Sequence, residues 1–444
     1  MDLSALESLQ RSADFKYEQL DNGTLHIELL YHASMVDLSV LNKEVVHPFR
    51  TCESAEAFRN ILSSVLSSSE VEDEQGLLKE LLLGKAVIRF AGTFYTFNAS
   101  KSINNSPNEA ATETTLQGSQ HAFSEDADTN LLMLRKRYPY KELTAEHLSL
   151  GRISQTSCYF VYDTNRADET HIRHFRAKLS SVDADMIQAA GQIDALISGT
   201  RFRWFPTLLT SERPDRAAHN LALGKVVLII DGTPFALIGP AVFFDFVSAM
   251  DDLYLPALVT KFLVMLRYIG IFLTIMLPAL YVAIVSYNPE IFRLQFTISI
   301  AGSRAAVPFP SYIEVFIMMF LIEALIEASL RLPRYIGSTA TTVGGLILGQ
   351  AAQQAGLVSS IMVIVTSVVA ISNFLIPINT MSFALRLAKY PLILLAAFFG
   401  IAGLITGVFG IGIYCTNLRS FGQPYLKLFL NEQDVSGYKE GGSG

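Results

Sequence analysis

From Phe262 to Thr416 the chain is mostly apolar and carries few charges, whereas residues 1–256 have the mixed, charged composition of a water-soluble chain. We read a soluble part followed by a membrane part, and a length of 444 residues predicts two or three domains. Charges inside the apolar part become the informative residues, because an ionisable group at bilayer depth is costly and faces protein or water.

The densest group lies in PFPSYIEVFIMMFLIEALIEASLRLPRYIG, residues 308–337. Its 20 residues from Ser311 to Leu330 reach roughly 30 Å as a helix, about one hydrocarbon thickness. Glu314, Glu323 and Glu327 fall inside it. Glu323, Glu327 and Arg331 stand at i, i+4 and i+8, a ladder in which neighbours can pair, and Glu314 points the other way. The carboxylates are candidates for an ion path; pairing of Glu327 with Arg331 near the helix end is the structural alternative.

A first span is predicted over Phe262–Val285, with Lys261 and Arg267 snorkelling to the near interface and Pro278 kinking it. An apolar patch in the following loop suits an interface. Pro333 ends the glutamate-bearing helix, and Arg331 and Arg334 there agree with a positive-inside orientation. Residues 337–356 are short and rich in small residues, with Gly345 and Gly349 at GxxxG spacing, which favours close packing or a re-entrant hairpin. Leu357–Ile378 is a further span in which Ser359, Thr366 and Asn373 recur every seven residues. They form one polar stripe, either an interhelical hydrogen-bonding face or a pore wall. Pro391–Cys415 reads as the last span, with Gly403 and Gly407 repeating the GxxxG spacing. The count is four to five helical segments.

In the soluble part, residues 25–33 read as a strand and Ser54–Ser68 as a helix. Residues 99–130 read as a polar loop. GKAVIRFAGTFY at 84–95 then matches GKVVLIIDGTPF at 224–235, with Gly, Lys, Val, Gly and Thr identical at an offset of 140. The strand at Leu30 and Tyr31 has a counterpart in CYFVYD, 158–163, and a helix over Asp183–Ile197 matches the earlier one. The fold class is therefore two related α/β subdomains, 1–130 and 131–256, then an all-α polytopic membrane domain, 257–416, and a short tail, 417–444. Neither Gly-Lys pair belongs to a phosphate loop, since GxxxxGK[ST] is absent.

Other chemistry is sparse. His171 and His174 lack a third ligand nearby, so no metal site is expected. Cys52, Cys158 and Cys415 are widely spaced and read as free thiols. A net charge of -7 gives no basic surface for nucleic acid. The N-terminus has no apolar signal core, so the soluble part is expected in the cytoplasm. Asp251 and Asp252 are expected to orient the junction with the membrane part, and Pro214 suits a first helical position.

The run FPTLLTSERPDRAAHNLALGKVVLIIDGTPFALIGP, 205–240, resembles the signature of the A subunit of GerA-type spore germination receptors. LPALYVAI, VPFPSYIE, EALIEASLRLPRYIG and LGQAAQQAGLVS follow in order with comparable spacing. The resemblance implies a non-enzymatic subunit without cofactors, resident in the spore inner membrane. It implies partnership with a transporter-like B subunit and a lipoprotein C subunit, nutrient sensing, and A-subunit oligomers that release cations. It also implies structural or coupling roles for Glu212, Arg213, Pro214, Asp215, Asp231, Gly232, Pro234 and Arg331. The chain departs from the family pattern at residues 119–122 and at Ile326. The alternatives are a non-conducting scaffold for a transporter-like partner and a secondary transporter using Glu314, Glu323 or Glu327.

Overall fold

The computed structural model describes residues 9–64, 68–70, 74–101, 109–115, 117–198, 203–331, 344–345 and 347–426. Expectations for Pro333, Arg334 and residues 337–343 lie outside them.

Two five-stranded antiparallel sheets make up the N-terminal half. The first takes β1 (Phe15–Asp21), β2 (His26–His32), β3 (Ser68–Glu70), β4 (Ala86–Phe90) and β5 (Thr93–Phe97) in the order β1-β2-β4-β5-β3. The second takes β6 (Leu143–Leu150), β7 (Thr156–Asp163), β8 (Leu209–Ser211), β9 (Val226–Ile230) and β10 (Ala236–Gly239) in the order β6-β7-β9-β10-β8. The orders are the same, so the repeat read from the 140-residue offset is a repeat of topology.

Local chemistry explains why Gly-Lys marks both copies. Helices α1 (Ala55–Ser64) and α2 (Glu74–Leu82) lie in the first copy, and α2 ends in Gly84 with φ +89°. Lys85 N–H then donates to Glu80 O at 3.1 Å. Between the sheets runs α3 (Ala127–Arg137); the second copy adds α4 (Glu169–Ser180), α5 (Ala190–Ile197) and α6 (Pro214–Ala222). Helix α6 ends in Gly224 with φ +81°, and Lys225 N–H donates to Asn220 O at 3.0 Å. Each is a helix stop closed by a left-handed glycine, which turns the chain into the next strand. A Cβ on Gly224 would also sit 2.5 Å from the Arg166 carbonyl oxygen.

Each sheet is covered on both faces. Val226, Leu228 and Ile230 of β9 pack with Phe160, Phe175 and Ile193, while Val227 and Ile229 face Leu134 and Leu221. That double burial explains the unbroken apolar run VVLII. The core on the second face does not stop at the sheet. It continues through Ile271, Ile376, Met381, Leu385 and Cys415, so the second subdomain and the helical half share one hydrophobic cluster.

The helical half contains α7 (Ala257–Tyr287), α8 (Leu294–Arg304), α9 (Ser311–Leu330), α10 (Ser360–Phe374) and α11 (Asn379–Asn417), with a further helical stretch at 347–354. Helices α7 and α11 are long and apolar enough to cross a membrane by length and composition. The apolar loop patch is α8.

The expected single span Pro391–Cys415 is corrected. The backbone leaves helical geometry at Gly400, with φ 59° and ψ -139°. A Cβ on Gly403 would collide with the Leu395 carbonyl, and one on Gly407 with the Leu392 side chain. In a straight helix the second pair would lie roughly 22 Å apart. The chain therefore folds back at Gly400 into two antiparallel arms, 379–399 and 401–417. Pro391 lies within the first arm. Gly403 and Gly407 let the arms touch, whereas a Cβ on Gly345 or Gly349 would meet only Leu325 at 3.4 Å or Val363 at 3.7 Å.

Candidate functional site

In the helical half the three glutamates have separate fates. Glu314 is 0% exposed, and its Oε1 accepts the backbone N–H of Ser359 at 2.6 Å, capping the start of α10. Its Oε2 accepts the Tyr281 hydroxyl at 3.2 Å and lies 3.4 Å from Arg304 Nε. Three elements, α7, α8 and α10, thus converge on one buried carboxylate.

Glu323 does not join the expected ladder. It turns to α11, where Arg386 Nε donates to Oε2 at 2.9 Å and Lys389 Nζ donates to Oε1 at 2.9 Å. Arg386 Nη2 reaches the same Oε2. Glu327 keeps the local pairing: it accepts from Arg331 Nη2 at 2.8 Å, with both side chains exposed. Arg386 and Lys389 were not singled out from the sequence. Their signal was there, since FALRLAKY extends the apolar run upstream of Pro391 and carries two bases three residues apart.

The polar stripe Ser359, Thr366, Asn373 is buried against the bundle, at 1%, 1% and 5% exposure. Ser359 Oγ accepts Met362 N–H at 3.2 Å as a helix cap, and Thr366 donates to its own helix at the Met362 carbonyl, 2.9 Å. Neither Oδ1 nor Nδ2 of Asn373 has a partner among the described residues. The opposite face of α10 is exposed through Ile364, Ser367, Ile371 and Phe374.

At the junction with the second subdomain, the SERPDR motif organises a polar loop and the first long helix. Glu212 Oε1 accepts Glu113 N–H at 3.0 Å and the N–H of Thr112. Arg213, 0% exposed, grips Asp215 through Nε at 3.0 Å and Nη2 at 2.6 Å, and donates to Glu113 O at 3.1 Å. Pro214 opens α6. Arg216 holds the Glu113 carboxylate at 3.2 Å and donates to Ser248 O at 2.9 Å. Burial pushes the Glu113 carboxyl up, against the opposing pull of Arg216 and Ser211.

Just beyond Ser248, Asp252 receives both guanidinium arms of Arg267, at 2.5 and 2.9 Å. Arg267 is therefore turned into the protein instead of snorkelling outward. Asp231 Oδ1 accepts Ala127 N–H at 3.0 Å, and Gly232, at φ +79°, donates its N–H to Glu125 O at 2.7 Å. Pro234 is half-buried beside them.

The chain end returns to the same subdomain. After α11, β11 (Arg419–Ser420) and β12 (Gln423–Pro424) form a short hairpin. Phe421 stacks on Phe175 with centroids 3.6 Å apart, Ser420 Oγ donates to Thr207 O at 2.7 Å, and Tyr425 is fully buried.

Between the two subdomains lies a cleft of about 610 Å³ lined by Asp14, Lys16, Asp37, Lys101, His147 and Tyr159 among others. Its floor is tied by Arg135, which donates to Asp14 through Nε at 2.7 Å and Nη2 at 2.5 Å and to Ser12 Oγ at 2.7 Å. Burial opposes ionisation of Asp14, but Arg135 and His32 together hold its carboxyl well below the usual range. The described residues contain no cluster of His, Cys, Asp and Glu able to hold a metal.

A family profile described as Bacillus/Clostridium GerA spore germination protein matches residues 4–438. Spore germination protein KA of Bacillus subtilis (strain 168) is 34% identical over 410 residues, covering 90% of this chain and 75% of that protein. Spore germination protein B1 of the same strain is 38% identical over 331 residues, covering 74% of this chain and 68% of that one. Among solved structures, the N-terminal domain of the A subunit of the Bacillus megaterium spore germinant receptor GerK3 covers 54% of this chain and 93% of that chain, at 22% identity and a TM-score of 0.42.

Proposed function

The chain belongs to the GerA family of spore germination proteins, and from that premise we propose that it is the A subunit of a nutrient germinant receptor and not an enzyme. Its helical half sits in the spore inner membrane, with the two α/β subdomains in the cytoplasm, and the boundaries fall near residues 130 and 256. It works with a transporter-like B subunit and a lipoprotein C subunit, forms homo-oligomers, and supplies a path for cation release.

Surface chemistry supports the membrane reading. Leu258, Phe320, Phe374 and Phe398 are 81%, 69%, 70% and 72% exposed, a distribution suited to lipid or to neighbouring helices rather than to water. The observation that carries the receptor reading is the continuous connection from the subdomains to the helices. The 109–115 loop and SERPDR are hydrogen-bonded to each other and to the Ser248 carbonyl, four residues before the Asp252–Arg267 pair, and a shared apolar core and the clamped tail run parallel to them. A rearrangement of the second subdomain is therefore transmitted to α7 and α11, which share its core.

The ion path is assigned to the α10 region, where a hydroxyl or amide can replace part of a cation's hydration shell. In one subunit the Ser359, Thr366 and Asn373 face is turned inward, so opening requires α10 to rotate or separate from α7. The cleft between the subdomains favours a second role: its volume and converging polar groups suit a small polar ligand.

Deleting the coding sequence tests the proposal. Spores without the chain should lose nutrient-triggered cation release and regain it on complementation. Normal release without it would overturn the receptor reading. Release restored by a chain whose purified complex conducts no ions would leave the non-conducting scaffold.

A further inference from the structure

The acids and bases of the helical half do not balance where they meet. Beyond Glu314 the apolar part, through Asn417, contains only Glu323 and Glu327 as acids, against Arg331, Arg334, Arg386 and Lys389 as bases. Glu327 is matched by Arg331. Among the described residues, Glu323 is the carboxylate that faces both Arg386 and Lys389. One carboxylate between two cations leaves a surplus positive charge, in side chains that are 13% and 1% exposed.

A surplus charge shielded from water is relieved by an anion nearby or by loss of the Lys389 proton, and an anion is the route that leaves both bases charged. Residues 332–378, including those outside the described set, contain no Asp or Glu, so the missing charge does not come from that stretch. Position narrows the source. Arg386 lies seven residues into the first arm of α11, whose start at Asn379 adjoins the second subdomain. Seven residues of helix rise roughly 10 Å, within which a long arginine side chain reaches back to the headgroup level. Two nitrogens of the guanidinium are spent on Glu323, and the group lies 5.3 Å from the ring of Phe383, itself 49% exposed. Among the described residues the guanidinium makes no further hydrogen bond, which leaves its Nη1 edge for a ligand.

We propose that Arg386, beside Lys389 and only partly neutralised by Glu323, binds the phosphate of an anionic phospholipid at the subdomain end of the bundle. The inference rests on the membrane placement proposed above. Basic pockets between helices at a cytoplasmic leaflet take such headgroups, and each basic residue contributes about 1 kcal/mol, or roughly fivefold in affinity.

The test uses the full chain purified in neutral detergent with equimolar phosphatidylglycerol and phosphatidylcholine, with retained lipid counted by native mass spectrometry. Wild type should retain phosphatidylglycerol about fivefold over phosphatidylcholine. Arg386→Gln leaves a balanced Glu323 and Lys389 pair, and should abolish the preference while eluting as folded protein. Glu323→Gln raises the surplus and should strengthen retention, which a purely structural triad would not do. Arg331→Gln should change nothing. Excess inorganic phosphate should not displace the lipid; displacement would reassign the site to free phosphate. Equal retention by wild type and Arg386→Gln overturns the proposal, as does an acidic membrane protein that co-purifies with wild type and is lost with Arg386→Gln. Membrane fractionation of the same cells separates this failure from failure of the placement: a chain that pellets with membranes but shows no lipid preference refutes only the site.

Discussion

His32 is 1% exposed, lies 3.5 Å through Nδ1 from Asp14, and shares its pocket with Arg135. Burial, then the charge of Arg135, lowers its pKa from 6.5, and the nearby Asp14 carboxylate only partly offsets them. A depressed pKa contributes stability above the unfolded value, and that contribution is lost as pH falls below 6.5 toward the folded value. The apparent thermal midpoint of the full chain in detergent should drop between about pH 7 and pH 5.5, and His32→Phe should flatten that drop. An unchanged pH profile in the variant would show that His32 does not carry it. Asp14 contributes in the other range: its well-depressed pKa adds stability above 3.8 that is lost only in stronger acid.

The same scale shows what could be read in advance. Glu314, Glu323 and Glu327 stood out because charge is rare in an apolar run. Their partners did not, because Glu323 meets residues 63 and 66 positions away and Glu314 a backbone N–H 45 positions away. Helical spacing speaks only for neighbours on one helix, which is why Glu327 and Arg331 were legible and Glu323 with Lys389 was not.

Among the elements, the repeated subdomain was legible because its helix stop needs a left-handed glycine at the same place in both copies. The fold-back in α11 was hidden, because Gly400 lies in AAFFGIAG with no polar turn to mark it. In a membrane a turn need not be polar when its backbone groups find protein partners, and here the Tyr287 hydroxyl donates to Ala397 O at 2.5 Å beside the bend. The two arms make a direct prediction. With Cys52, Cys158 and Cys415 replaced by serine, Leu392→Cys with Gly407→Cys should cross-link under mild oxidant. A disulfide needs Cα atoms within about 7 Å, and a straight helix would hold these residues roughly 22 Å apart. Absence of the cross-link in folded protein would contradict the hairpin.

On the scale of the whole molecule, the path from subdomains to helices gives each part a distinct expected phenotype. Asp252→Asn weakens the grip on Arg267 without touching the helical interior, so it should reduce nutrient-triggered release while leaving the amount of protein in the membrane unchanged. A normal response at normal protein level would remove this contact from the path. Asn373→Leu acts at the other end, replacing an amide that has no partner among the described residues with an apolar side chain of similar volume. It should leave assembly intact and alter conduction.

The central claim is that this chain supplies the ion path. The most direct measurement is cation flux from proteoliposomes holding the purified chain with the proposed B and C partners, comparing wild type with Asn373→Leu. Flux that depends on the chain and changes with the Asn373 substitution is the predicted result. Intact complexes that stay silent with and without nutrient, or flux that persists when this chain alone is omitted, would contradict it.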